Sequence, residues 1–236
     1  MSNSWFRFKQ FTIQQDRCAM KVSTDACIQG AWTPLADSNR KVLDMGTGTG
    51  LLALMLAQRQ TDLLADAIEL DPEAAAQAAS NIGGSAFKDR IHVYQADIRN
   101  WDRPDTYDLL VCNPPFFSNS LRSSAAGRRL ARHDDTLRRE DMADACRHLM
   151  RPDGVASVLL PATEQERWEQ VLSGRGLYLQ QRLYIRPYAH SAVNRVVSLC
   201  NRSGISQADE ELVIYLQPGQ YTASFAALLQ PYYLGL

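Results

Sequence analysis

Short apolar segments alternate with helical patterns along the first two-thirds of the chain. Segments of five or six mostly apolar residues, each followed by turn-forming residues, predict buried strands at 41–45, 65–69, 91–95, 107–112 and 155–160. Apolar positions at helical spacing predict helices at 51–59, 72–82, 140–150 and 164–172. This alternation is typical of a doubly wound, Rossmann-like α/β fold with a mostly parallel sheet.

The pattern changes beyond residue 176. Two strand-like segments, 177–185 and 193–201, are separated by only seven residues, which is too short for a helical crossover. They are therefore predicted to pair antiparallel, giving a seven-stranded sheet that ends in an antiparallel pair. The chain has 236 residues, 45% of them apolar, which is enough for one large domain at 41–236 after an N-terminal segment at 1–40.

Composition excludes several classes of protein. The apolar runs are far shorter than the ~20 residues that cross a bilayer, and residues 1–9 contain no apolar signal-peptide core. The five cysteines and four histidines show no metal-ligand spacing, and the isolated cysteines do not suggest a disulfide framework. A cytoplasmic protein without a membrane or metal partner is expected.

Charge is distributed unevenly, although the formal net charge is only −1. Residues 170–208 contain five arginines and no acid, and the aperiodic segment 117–133 contains four arginines and no acid. A locally basic surface attracts a phosphate backbone, so these regions suggest a nucleic-acid partner. Charge alone leaves open that the arginines only solvate strands and a loop.

A glycine-rich turn, Gly46-Thr-Gly-Thr-Gly50, directly follows the first predicted strand. Gly46, Gly48 and Gly50 allow the backbone to turn sharply and a ligand to approach closely. A dinucleotide site needs Gly-x-Gly-x-x-Gly, and here Leu51 stands where that pattern requires its third glycine. An NAD site is therefore disfavoured, whereas a turn without any ligand remains open.

Acidic residues end the next two predicted strands. Glu69 can accept both hydroxyls of a ribose, and Asp97 can accept a hydrogen bond from an adenine amino group. Asp71 is better explained as a helix cap, and Asp97 has the same alternative. Asp44 and Leu70 complete the predicted cofactor-binding set.

The glycine turn and the two strand-end acids together resemble the class I S-adenosylmethionine-dependent methyltransferases. The resemblance covers 41–160 and, through the terminal antiparallel pair, the rest of the sheet. It implies the cofactor S-adenosyl-L-methionine, which leaves as S-adenosyl-L-homocysteine. Because this cofactor is itself an activated electrophile, no metal is needed.

The tetrapeptide Asn113-Pro114-Pro115-Phe116 follows the fourth predicted strand and forms the predicted catalytic site. The Asn113 side-chain oxygen and the Pro114 carbonyl can accept the two hydrogens of an exocyclic amine and aim its lone pair. The prolines stiffen the turn, and Phe116 can stack on a flipped base. The alternative is a proline turn with Phe116 in the core.

This Asn-Pro-Pro-aromatic arrangement resembles that of amino-group methyltransferases. Members act on adenine, on the guanine amino group or on a protein glutamine amide, and the tetrapeptide does not choose among them. A non-catalytic module that senses S-adenosylmethionine or binds RNA would keep the glycine turn without needing the tetrapeptide. The arginine-rich regions favour a nucleic acid over a protein as substrate.

Residues upstream of the glycine turn resemble the bacterial tRNA(Val) adenine-37 N6-methyltransferases. The similarity lies in 8–11, 16–25 and 30–32, and it continues through 51–58 to the C-terminal Tyr-Tyr-Leu. It implies tRNA, specifically tRNA(Val), as the partner, with a monomer compatible but the oligomeric state open.

The same resemblance implies that the segment before the first strand closes over the cofactor. Lys21, Thr24 and Asp25 would then lie near its methionine end. The alternative is that Thr24 or Asp25 caps a helix and that Lys21 is simply solvated.

Overall fold

An eight-stranded sheet forms the framework of the computed structural model, which describes residues 3–18, 20–36, 40–114 and 137–236. The strands in these ranges are β1 (Trp5–Arg7), β2 (Thr12–Gln14), β3 (Lys41–Met45), β4 (Leu64–Glu69), β5 (Ile91–Gln95), β6 (Tyr107–Cys112), β7 (Met150–Pro161), β8 (Tyr178–Arg186), β9 (Arg195–Asn201), β10 (Glu210–Val213), β11 (Tyr215–Gln217) and β12 (Gln220–Tyr221). The α-helices are α1 (Thr24–Trp32), α2 (Leu51–Arg59), α3 (Pro72–Gly83), α4 (Arg139–Leu149), α5 (Gln165–Ser173) and α6 (Ala223–Leu229).

The large sheet has the strand order β10-β8-β9-β7-β6-β3-β4-β5. Strands β3 to β7 are parallel to one another, whereas β9 is antiparallel to both β7 and β8. The predicted α/β sheet, with its seven strands and its antiparallel pair, is thereby confirmed. An eighth strand, β10, was not predicted and pairs parallel with β8 at the edge of the sheet.

Strand β7 begins five residues before its predicted start at residue 155. Met150 pairs with Tyr107, and the register then shifts before Leu109 pairs with Val155. The turn-forming residues 151–154 are therefore accommodated as an irregularity within the strand. A β-bulge is one of the few positions in a sheet that tolerates proline and glycine.

Alternating side chains of the central strands enter two separate hydrophobic clusters. Val42 packs with α1, α2 and the N-terminal hairpin, whereas Leu43 and Met45 pack with α4 and α5. Since successive strand residues point to opposite faces, the clusters lie on the two sides of the sheet. Both faces are therefore covered, which explains the nearly continuous apolar composition of these strands.

The N-terminal and C-terminal segments pack together against this sheet. Phe8 is buried in the same cluster as α2, and its backbone neighbour Lys9 donates its N–H to the Tyr232 carbonyl at 2.8 Å. The rings of Phe6 and Phe8 lie 5.7 and 6.0 Å from the ring of Tyr233. The segment before β3 therefore shares its core with the sheet.

Side-chain caps fix where the helices begin. The Asp71 carboxylate accepts the Ala74 N–H at 2.9 Å, as predicted for the start of α3. Helix α1 is capped by Ser23, whose hydroxyl accepts the Ala26 N–H at 3.2 Å. The alternative that Thr24 or Asp25 provides this cap is wrong.

The arginines of residues 170–208 do not form an unbalanced basic surface. Each lies within ion-pair distance of a carboxylate from elsewhere in the chain: Arg175 with Asp144, Arg182 with Glu169 and Asp209, Arg186 with Glu211, Arg195 with Asp25, and Arg202 with Asp105. The prediction of a basic surface here was wrong, because folding brings distant acids alongside. The other arginine-rich segment, 117–133, lies outside the described residues.

Among the residues that the structure describes, no helix combines the length and apolar character needed to cross a bilayer.

Candidate active site

The glycine turn leaves the carboxyl end of β3 in a conformation that requires glycine. Gly46, Gly48 and Gly50 have φ values of 70°, 57° and 84°, which ordinary side chains rarely adopt. A Cβ at Gly46 or Gly48 would meet no atom of the described residues within 4 Å. Open space therefore lies beside the turn, as a bound nucleoside would need.

Gly50 has a different role from the other two glycines. A Cβ there would lie 3.2 Å from the Ile82 Cδ1 atom, so the third glycine lets α3 pack closely against the start of α2. The turn therefore borders open space at Gly46 and Gly48 and packs against α3 at Gly50.

Glu69, the last residue of β4, is hydrogen-bonded to the glycine turn. Its Oε2 accepts the Gly48 N–H at 2.8 Å, and its Oε1 accepts the Asp71 N–H at 3.0 Å. Burial raises the pKa of Glu69, whereas the backbone hydrogen bonds oppose that increase. Each carboxylate oxygen can accept a further hydrogen bond, so the pair remains able to accept two ribose hydroxyls.

Asp44 lies beneath the turn and is only 1% exposed. Its Oδ2 accepts the Thr47 hydroxyl at 2.6 Å and the Ala53 N–H at 3.2 Å, which joins the turn to helix α2. Burial raises the pKa of Asp44 to about 6, and the nearby charge of Glu69 adds to the effect. A bound cation would relieve this cost by favouring the charged form.

Leu70 and Asp97 follow the ends of neighbouring strands. The Ala96 N–H donates to the Glu69 carbonyl at 3.0 Å, which brings the two strand ends together. Leu70 is 40% exposed and offers an apolar surface there. Asp97 caps the following turn and forms an ion pair with Arg99 at 2.6 Å, so the capping alternative is observed. Its predicted contact with adenine stays a prediction.

Asn113 follows β6, whose last residue, Cys112, pairs with Met45 just before the glycine turn. The Asn113 side-chain oxygen is buried and has no hydrogen-bond partner among the described residues. A buried acceptor without a donor costs roughly 1–3 kcal/mol, so this oxygen is suited to receive a donor from a ligand. Pro114 is buried beside it, whereas Pro115 and Phe116 lie outside the described residues.

Gln29, which sequence reasoning missed, fixes the strand end that precedes Asn113. Its fully buried side-chain nitrogen donates to the Cys112 carbonyl at 3.1 Å and to the Ser157 carbonyl at 3.0 Å. Helix α1 is thereby held against the ends of β6 and β7. The sequence signal was a polar amide residue between Ile28 and Gly30, in the apolar part of the helix.

The predicted residues before and within α1 lie in different surroundings. Asp25 is 3.6 Å from Arg195, and burial raises its pKa while that arginine opposes the increase. Thr24 is the first residue of α1, and the Lys21 ammonium donates to the Asn3 carbonyl at 3.1 Å. Arg195 begins β9 at the sheet edge that carries Asn113, so its partner Asp25 also lies near that edge. The assignment of all three residues to the cofactor stays a prediction.

Two amide side chains of α3 anchor the N-terminal segment beside the glycine turn. Asn81 donates to both the Gln14 and Thr49 carbonyls at 2.9 Å. Gln77 donates to the Asp16 carboxylate at 2.7 Å and accepts the Arg17 N–H at 2.8 Å. The segment therefore crosses α3 at the end nearest the turn.

Cys18 follows this segment and is half-buried. Burial raises the pKa of its thiol to about 12, and the charges of Glu69 and Asp71 contribute to the increase. The hydrogen bonds of Gln77 and Asn81 hold the preceding residues beside the glycine turn, which is compatible with the prediction that residues before β3 cover the cofactor.

Within residues 3–18, 20–36, 40–114 and 137–236, no group of three histidine, cysteine, aspartate or glutamate side chains is arranged to hold a metal ion.

Comparison with solved structures supports the same architecture. An Agrobacterium tumefaciens protein described as a predicted O-methyltransferase matches with a TM-score of 0.67 and 17% identity, over 88% of this chain and 96% of the other. Pyrococcus horikoshii TYW2 in complex with MeSAdo matches with a TM-score of 0.56 and 16% identity, over 82% and 68%. At these identities the likeness establishes the fold alone.

Comparison with known sequences establishes the family. Residues 32–140 match the model of the methyltransferase small domain. The tRNA1(Val) (adenine(37)-N6)-methyltransferase of Tolumonas auensis is 40% identical over 99% of this chain and 98% of its own length. The enzyme of that name from Cytophaga hutchinsonii is 39% identical over both whole chains. The resemblance inferred from the sequence is confirmed, and the chain belongs to the tRNA1(Val) (adenine(37)-N6)-methyltransferase family.

Proposed function

We propose that this protein transfers a methyl group from S-adenosyl-L-methionine to N6 of adenosine 37 in the anticodon loop of tRNA1(Val). Its similarity to enzymes of that name extends over the whole chain. The structural observation that carries the proposal is the buried side-chain oxygen of Asn113, which lies at the strand end beside the glycine turn and has no hydrogen-bond partner in the part of the chain that the structure describes.

The described residues fit a nucleoside cofactor. The space beside Gly46 and Gly48 is open, Glu69 presents two acceptor oxygens, and Leu70 offers an exposed apolar surface. When bound, S-adenosyl-L-methionine supplies a methyl group on a sulfonium, which is already activated for transfer. Asp44 contributes negative charge beneath the turn and holds the turn in shape.

Asn113 and Pro114 act on the nucleophile. The lone pair of an adenine N6 is delocalised into the ring, so the free amine is weakly nucleophilic. Hydrogen bonds from its two N–H groups to the Asn113 side-chain oxygen and the Pro114 carbonyl would draw the nitrogen toward tetrahedral geometry. Neither oxygen is basic enough to retain the proton that the nitrogen loses after transfer, so that proton passes to solvent.

An anticodon-loop adenosine suits a site of this kind. Its base is unpaired, so moving it into a pocket costs less than extruding a base from a duplex. The acceptors at Asn113 and Pro114 match an amino group, which adenine carries at C6.

The experiment incubates purified protein with labelled cofactor and an unmodified tRNA1(Val) transcript, followed by nuclease digestion and mapping of the label. We expect N6-methyladenosine at position 37. A transcript with guanosine at that position is the matched control and should remain unlabelled. Label on guanosine, on another adenosine, or only on protein would contradict the proposal.

A further inference from the structure

Four aromatic side chains form a continuous row on the C-terminal third of the chain. We call His190, Tyr188, Tyr215 and Tyr221 the aromatic row. Successive ring centroids lie 5.5, 5.6 and 5.1 Å apart, and the first and last pairs are stacked. The inner end packs on the buried ring of Phe225 at 4.5 Å.

The aromatic row lies along the sheet edge that carries Asn113. Arg195, the first residue of β9, pairs with Pro161 at the end of β7 and with Ile185 at the end of β8. Tyr188 and His190 belong to the loop that joins the end of β8 to the start of β9, and Tyr215 follows β10 at the same edge. Neighbouring strands are ~4.8 Å apart, so a row three to four strands from β6 lies roughly 15–20 Å from Asn113. A few nucleotides of an extended single strand span that distance.

Backbone hydrogen bonds hold the row in place. The Ser191 N–H donates to the Tyr188 carbonyl, and the Tyr215 N–H donates to the Pro187 carbonyl, both at 2.9 Å. The Arg186 guanidinium closes the loop by donating to the Ser191 carbonyl at 2.6 Å. A ligand would therefore meet rings that are already ordered, which lowers the entropy cost of binding.

The row is accessible, but its surroundings are not strongly basic. His190 is exposed, Tyr221 is 38% exposed, and Tyr188 and Tyr215 are half-buried. Arg186, which is hydrogen-bonded to the Ser191 carbonyl of the same loop, is paired with Glu211 at 2.8 Å. Ordered aromatic rings beside neutralised charges favour contact with the faces of bases over contact with phosphates.

We propose that the aromatic row stacks unpaired nucleotides of the anticodon loop that neighbour the target adenosine. This inference rests on the proposed function and adds to it the surface that positions the loop. His190 and Tyr188 form the outer part of the row and provide the first stacking faces. Stacking contributes ~1–3 kcal/mol per base and does not require a particular sequence.

The test compares Tyr188→Ala and His190→Ala with wild type and with Tyr178→Ala. Tyr178 is the matched control, because it is 48% exposed and lies at the opposite end of β8. The KM for the tRNA1(Val) transcript is measured at low and high salt, with kcat, cofactor affinity by calorimetry, and melting temperature alongside. Tyr188→Phe keeps a ring and guards against a result that merely reflects misfolding.

We expect either alanine variant to raise the KM for tRNA about 5- to 150-fold, with similar factors at both salt concentrations. Cofactor affinity should be unchanged, and Tyr188→Phe and Tyr178→Ala should resemble wild type. If wild type methylates adenosine 37 but the alanine variants keep its KM, or Tyr178→Ala loses as much, the stacking surface is wrong and the function stands. If wild type does not methylate tRNA, both proposals are overturned.

Discussion

At the scale of single residues, the proposed function assigns Asn113 to the chemical step and Glu69 to cofactor binding. The Asn113 side-chain oxygen has no hydrogen-bond partner within the described part of the chain, whereas both oxygens of Glu69 hold the backbone beside the glycine turn. Substitutions at the two positions should therefore affect different measured quantities.

Asn113→Ala should lower kcat by about 100-fold or more, the usual loss when one transition-state hydrogen bond is removed. Cofactor affinity should remain near wild type, because the side chain serves the nucleophile. Single-turnover methylation of tRNA1(Val) and calorimetry with the cofactor measure the two quantities separately. A variant with near wild-type turnover would rule out this role.

Glu69→Ala should weaken cofactor binding by at least about tenfold, because each charge-assisted hydrogen bond contributes ~1.5–3 kcal/mol. Glu73→Ala is the matched control: it removes the same charge from an exposed position in the first turn of α3. Calorimetry should show the loss only for Glu69. Equal affinities for the two variants would contradict the assignment.

Asp44 predicts a particular dependence of stability on pH. Its pKa is about 6 in the folded protein against an ordinary 3.8, so the folded state binds this proton more tightly than the unfolded state. The contribution of Asp44 to stability therefore declines as pH rises from about 4 to 6, by up to ~3 kcal/mol. Relative to wild type, Asp44→Asn should gain unfolding free energy between pH 4 and pH 7.5, as measured by urea denaturation. A difference that does not change with pH would refute this explanation.

At the scale of elements, helix α1 is held to the sheet by hydrogen bonds that cross the chain. Gln29→Leu keeps a similar volume but leaves the Cys112 and Ser157 carbonyls without that donor. We expect the unfolding free energy to fall by about 1–2 kcal/mol, since the loss of two buried hydrogen bonds outweighs removal of the Gln29 side-chain oxygen, which is buried without a partner among the described residues. Urea denaturation measures this loss. Gln220→Leu, at an exposed position in β12, is the control and should change stability little. An equally small effect of Gln29→Leu would contradict a stabilising role for the Gln29 hydrogen bonds.

The central strands and helices were predictable because local signals agree with their environment. Apolar runs ending in turn residues give β3 to β6, and the Asp71-Pro72 pair gives the start of α3. Strands β10 to β12 have two to four residues and are mostly exposed, so they show no apolar period. Their pairing depends on tertiary contacts that a local pattern cannot encode.

The candidate site was predictable where topology alone places residues together. Parallel strands bring their carboxyl ends to one edge, which sufficed for Glu69 and Asn113. Gln29 escaped prediction because its acceptors are backbone carbonyls 83 and 128 residues away. The prediction of a basic surface at residues 170–208 failed for a related reason. Asp144 neutralises Arg175, although 31 residues separate the two in the sequence.

At the scale of the whole molecule, we expect the ion-paired arginines of residues 170–208 to contribute little to the affinity for RNA. Arg175→Gln and Arg182→Gln should leave the affinity for tRNA1(Val) within about twofold of wild type, because each guanidinium already faces a carboxylate. Partly exposed pairs contribute ~0–1 kcal/mol, so stability should change little as well. Filter binding at two salt concentrations tests this prediction. A clear loss of affinity with a shallower salt dependence would show that these arginines bind phosphates.

The contact between the N-terminal hairpin and Tyr233 has a consequence for synthesis on the ribosome. Phe6 and Phe8 are made before the strands of the large sheet, yet their aromatic partner Tyr233 is made more than 220 residues later. At ~5–20 residues per second, roughly 10–45 seconds pass before the contacts with Tyr233 can form. The last strand of the large sheet ends at Val213, so the sheet can form before the N-terminal hairpin completes its packing against Tyr233.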